Sequence, residues 1–62
     1  MDYDFCFDME DLNGYSVTVF GYDDGVAWVE YFDFDMGVRR THFCERGENQ
    51  AVSWAYRRGY RE

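Results

Sequence analysis

One histidine and two cysteines are the chain's whole stock of soft metal ligands and strong nucleophiles. His42 and Cys44 form a His-x-Cys pair, and Cys6 joins them only if the first and fourth strands of the fold are neighbours. A closed zinc site takes four ligands at recognisable spacing, and the sequence has no Cys-x-x-Cys. The thiols therefore read as small hydrophobes, reduced and unpaired, and no metal is expected. Cysteine with histidine also supplies two members of a nucleophilic triad. A chain of 62 residues has little room for the concave pocket of roughly 300–1,000 Å³ that a substrate needs. Carboxylate pairs such as Asp33 and Asp35 sit at an expected exposed strand end, where nothing tunes them for acid–base work. Asp23-Asp24-Gly25 and Asp33-Phe34-Asp35 are too short to cage calcium. The expectation is a binding protein, neither an enzyme nor a cofactor carrier.

Charge layout says more. Residues 1–36 hold ten carboxylates and no Lys or Arg, whereas residues 37–62 hold six arginines against three glutamates. The halves thus carry −10 and +3, which gives the net −7, and lysine is absent. Charges placed for solubility alone are usually interleaved, so this segregation points to a directed field. The arginines lie among Trp54, Tyr56 and Tyr60, a composition that also fits an RNA- or DNA-binding helix. Ten carboxylates would repel a nucleic acid, so these arginines are expected to neutralise the sheet and cap the helix.

Strands and one helix must position these groups. Tyr3, Phe5, Phe7 and Met9 alternate with Asp2, Asp4, Cys6 and Asp8, the period of a half-buried strand. Asn13-Gly14 then separates this run from the β-branched and aromatic segment that follows. A two-residue turn would set Asp8 beside Val19. A three-residue loop, with Gly14 in a left-handed bulge, sets Phe7 beside Val19 and Met9 beside Val17, and burial selects it. Asp23-Asp24-Gly25 has the same chemistry and leads into a third strand. One face then collects Phe5, Phe7, Met9, Val17, Val19, Ala27, Val29 and Tyr31 as core. Residues 37–47 read as a fourth strand or a loop. From Glu48 on, Ala51, Val52, Ala55 and Tyr56 fall at helical spacing and Gly59 stops the helix, which is expected over Phe7.

The fold class expected is α+β: one domain over 1–62, a three- or four-stranded antiparallel meander with one C-terminal helix on one face. Aromatics make up 23% of the chain, which suits so thin a core, since large rings bury the most area per residue. With no apolar run long enough to span a bilayer and no basic leader after Met1, the expected setting is cytoplasmic, with no membrane partner.

The opposite sheet face collects Asp4, Asp8, Glu10, Phe20, Tyr22, Trp28, Glu30, Phe32 and Phe34, with Asp33 and Asp35 at its end. Edge protection and solubility explain the carboxylates but not the rings among them. Alternate residues on a strand lie about 6.6 Å apart, of the order of the phosphate spacing along a nucleic-acid strand. In size, acidity, lack of lysine and charge layout over its whole length, the chain resembles phage-encoded inhibitors of host defence, the anti-CRISPR and anti-restriction proteins that imitate nucleic acid. The resemblance implies action in a host cytoplasm against a basic nucleic-acid-binding surface of a host protein. The residues expected to make that contact are Asp4, Asp8, Glu10, Tyr22, Trp28, Glu30, Phe32, Asp33, Phe34 and Asp35. A second reading is an assembly or homodimerisation module that docks through its aromatic face.

Overall fold

Apolar and polar residues alternate between Phe5 and Glu10, and in the computed structural model, which describes residues 2–62, that stretch is strand β1 (Phe5–Glu10). It is followed by β2 (Ser16–Gly21), β3 (Ala27–Asp33), β4 (Val38–Cys44) and helix α1 (Glu48–Arg57). The four strands form one antiparallel sheet in chain order, with β1 and β4 as its edges. The fold is therefore α+β, and residues 38–44 resolve as a strand.

Burial and turn chemistry set the register together. Phe7 pairs with Val19 and Met9 with Val17. Asp11 N–H donates to the Tyr15 carbonyl at 2.9 Å, leaving Leu12, Asn13 and Gly14 as a three-residue loop with Gly14 at φ +86°. The β2–β3 loop has the same length, closed by Tyr22 N–H on the Val26 carbonyl at 3.1 Å. Gly25 does not share the positive φ of Gly14, so that turn closes by a different backbone path. The β3–β4 connection is one residue longer, because Asp33 pairs with Val38.

Met9, Val19, Ala27, Val29, Cys44, Ala51 and Ala55 are fully buried between sheet and helix. The helix packs on β2, β3 and β4. Phe7 therefore lies at the rim rather than beneath the helix, half-buried with Phe5 beside it. The helix stripe also differs from expectation. Trp54 joins Ala51 and Ala55 in the core at 8% exposure, while Tyr56 is 44% exposed. Residues 51, 54 and 55 share a face at three- and four-residue spacing, so Trp54 rather than Tyr56 turns inward.

Both helix ends are fixed locally. At the start, Gly47 (φ +92°) passes so close to β2–β3 that a Cβ there would stand 2.8 Å from the Gly25 carbonyl oxygen. At the end, Tyr60 N–H reaches the Ala55 carbonyl at 3.1 Å and Gly59 N–H the Tyr56 carbonyl at 3.0 Å. This paired closure around a left-handed glycine is a Schellman motif. Arg58 and Arg61 donate to the carbonyls of Trp54 and Tyr56. Cationic donors at this end also suit the helix dipole. Past the helix, Arg61 and Glu10 exchange two backbone hydrogen bonds of 2.8 Å, which ties the end of the chain to the edge of β1. No helix among the described residues is long and apolar enough to cross a membrane.

Candidate protein-binding face

The helix covers one face of the sheet and leaves the other open, and side chains on the open face are aligned by strand pairing. Cys6 pairs with Phe20, Phe20 with Trp28 and Trp28 with Phe43, so one row crosses all four strands. The Phe20 and Trp28 rings stack with centroids 5.6 Å apart and planes 10° apart. Tyr22 tilts against Trp28 at 5.7 Å. Phe43, at the β4 edge, is 57% exposed. The next row is polar: Asp8, Thr18, Glu30 and Thr41 are successive cross-strand partners. Thr18 Oγ1 donates to Asp8 Oδ1 at 2.8 Å. Beyond it, Glu10 pairs with Ser16 on one side of the sheet and Phe32 with Arg39 on the other.

This arrangement is an aromatic strip bordered by carboxylates. The single ion pair among the described residues is Arg40 with Asp33, so Asp8, Glu10 and Glu30 have no basic partner. Arg39 is the one cation that strand alternation places on the open face.

Five of the ten expected contact residues, Asp8, Glu10, Trp28, Glu30 and Phe32, share this face. Tyr22 closes one end of the strip, its hydroxyl donating to the Asp2 carbonyl. Phe34 belongs to the β3–β4 turn, where it packs edge-on against Phe32 at 5.0 Å and against Tyr15 at 4.8 Å. Asp4 sits at the corner of the sheet, its Oδ2 accepting the Asp23 N–H at 3.0 Å, so it braces a turn. Asp35 is exposed in the β3–β4 turn, beside the face rather than on it.

Asp33 requires a correction. It shares the alternation of Val29 and Tyr31 and so lies on the helix side of the sheet. Its Oδ2 accepts Arg40 Nε at 2.7 Å, and its Oδ1 accepts the backbone N–H groups of Asp35 and Met36. The Arg40 hydrogen bond, seconded by the Met36 N–H, holds the Asp33 carboxyl below its ordinary value of 3.8. It is a turn-forming, charge-paired residue.

Tyr3 joins the site unexpectedly. Alternation placed it with Phe5 and Phe7, yet its ring meets Phe20 on the open face at 5.0 Å. Asp4 N–H donates to the carbonyl of Gly21, which is also the register partner of Phe5. Two residues of one strand thus oppose one of the other, and such a bulge reverses the alternation before it. The neighbouring Cys6 side chain pushes the Tyr3 phenol above its ordinary value. Phe43 joins the face as well, and residue order carries the signal for it, because a four-residue loop over 34–37 places it opposite Trp28.

The residues considered for metal or nucleophilic chemistry lie apart. Cys6 is exposed on the β1 edge, and Cys44 is buried on the β4 edge. Three strand spacings, about 14 Å, separate those edges. His42 stacks on Trp54 with centroids 4.8 Å apart. Burial raises the Cys44 thiol above its ordinary value, so it is held as the neutral form.

Comparison with known proteins finds no family model, no curated relative and no solved structure that matches the chain.

Proposed function

We propose that this protein is an inhibitor of the nucleic-acid-mimic type, anti-CRISPR or anti-restriction in kind, which lays the open face of its sheet on a basic nucleic-acid-binding surface of a host protein. One observation carries the reading: Asp8 and Glu30, without basic partners among the described residues, lie in the row beside Phe20, Trp28 and Phe43, with Glu10 one row further out. Of the three rings Phe43 is exposed, while Phe20 and Trp28 are half-buried. A one-sided antiparallel sheet is common, and its solvent face is ordinarily polar. Here the rings offer desolvated anchors and the carboxylates a field that steers a cationic partner. Asp8 and Glu30 stand two strands apart, about 10 Å, and Asp8 and Glu10 about 6.6 Å apart along β1. This grid of charge is suited to arginines and lysines that otherwise hold phosphates.

The test is capture from host lysate with immobilised protein, followed by addition of the captured protein's own nucleic acid. Mutual displacement supports the proposal. A partner that binds chain and nucleic acid together at full strength contradicts it.

A second reading has its own support. Phe32, Phe34, Met36 and Val38 are all exposed about the β3–β4 turn, an apolar end that fits docking onto a larger assembly or a second copy. Such docking tolerates salt, whereas blocking of a basic groove weakens steeply with it.

A further inference from the structure

The arginines of the second half do not simply neutralise the sheet. Between β4 and α1 lies a hollow of about 460 Å³ whose walls include His42, Arg46, Arg57 and Arg58. Among the described residues none of these three guanidinium groups has a carboxylate partner, because the single ion pair is Arg40 with Asp33. Of the three, the Arg58 side chain is braced directly and Arg46 through its backbone, while the Arg57 side chain is free among the described residues. The Arg58 guanidinium lies 3.8 Å over the Trp54 ring and donates to the Trp54 carbonyl at 3.1 Å. The backbone that carries Arg46 is held by Gln50, whose Oε1 accepts the Arg46 N–H at 2.9 Å. His42 stacks on the same indole.

We infer that this hollow is an anion site that takes a phosphate group. Guanidinium forks match phosphate oxygens in geometry as well as charge, and no lysine competes for the role. Base stacking is not part of the recognition, since Tyr31, His42 and Arg58 already pack on Trp54 and leave it 8% exposed. Glu45 also lines the hollow and offsets one of the three arginine charges. Asp8, Glu10 and Glu30 lie across the sheet, and the Debye length of about 8 Å at physiological salt limits their reach. The inference does not rest on the role proposed for the open face.

The full chain, isotopically labelled, is titrated with sodium pyrophosphate at constant ionic strength and, separately, with a thymidine octanucleotide, while amide resonances are followed. Saturable shifts centred on His42, Arg46, Arg57 and Arg58 are expected. The pair Arg46→Gln and Arg57→Gln weakens binding at least about tenfold without moving the melting temperature, since both side chains lack protein partners. Arg57→Lys, which keeps the charge and loses the fork, gives an intermediate loss and serves if the pair proves unstable. Tighter binding of the octanucleotide identifies a nucleic-acid backbone as the source of the phosphate; tighter binding of pyrophosphate identifies a small phosphate. Asp8→Asn with Glu30→Gln leaves either affinity unchanged or improved, which separates this site from the open face. Absence of saturable shifts with both probes, or binding that survives in the paired variant, overturns the inference.

Discussion

Phe20 and Trp28 are direct cross-strand partners, and their rings stack nearly parallel on the side of the sheet that the helix leaves uncovered. A cross-strand aromatic pair contributes about 0.5–1.5 kcal/mol beyond area burial. The same pair would serve as the anchor of an interface. Trp28→Ala is therefore expected to lower stability by about 1–3 kcal/mol, since the stacking and part of the ring's burial are both lost. It should also cost about 2 kcal/mol or more in partner binding, chiefly through faster dissociation. Urea unfolding and surface-binding kinetics on one variant check both figures. An unchanged dissociation rate would remove Trp28 from the contact.

The core prediction follows from where the helix lies. Met9 is fully buried, so Met9→Ala should cost about 2–5 kcal/mol, a large part of what so small a domain has. Phe7 is only half-buried at the rim, so Phe7→Ala should cost less than Met9→Ala despite its larger side chain. Thermal melts of the two variants order them. The reverse order would mean that the helix covers β1 after all.

Acid sensitivity should report the Asp33–Arg40 pair. The folded carboxyl titrates below 3.8 while the unfolded one does not. The pair's contribution is therefore complete above 3.8 and disappears as pH falls through the lowered folded value. Arg40→Gln should be less stable than wild type at neutral pH, with the gap closing in acid. Denaturant unfolding from pH 7 to pH 2 measures it, and a gap constant down to pH 2 would mean that Arg40 acts through packing alone.

The two thiols should behave differently. Cys6 is exposed and Cys44 fully buried, on opposite edges of the sheet. A thiol reagent should label Cys6 at once and Cys44 only on unfolding, and a reductant should leave the melting temperature unchanged. A fall of many degrees on reduction would mean a disulfide, which typically contributes about 2–5 kcal/mol.

Much of this could be read from residue order, because the strongest determinants are local. Gly14 fixes the first loop, and the apolar residues at Met9, Val17 and Val19 permit only one register. What escaped depends on backbone events or on long-range packing. The bulge at Asp4 and Phe5 leaves no mark in the alternation, so Tyr3 crosses faces unannounced. Strand β4 mixes Arg39 and Arg40 with Thr41 and His42, and pairing to β3 rather than pattern makes it a strand and brings Phe43 beside Trp28. Asp33 looked like one more surface carboxylate until Arg40 met it across the hairpin.

The most direct measurement of the central claim is the association rate of a triple variant, Asp8→Asn, Glu10→Gln and Glu30→Gln, with the captured partner at low and high salt. Each exposed pair is worth only roughly 0.2–1 kcal/mol, so single variants can be silent while the collective field is not. The account predicts association slower by about tenfold or more at low salt, a gap that shrinks as salt rises, and folding no weaker than wild type. Association as fast as wild type at low salt would contradict the nucleic-acid-mimic function and leave aromatic docking in its place.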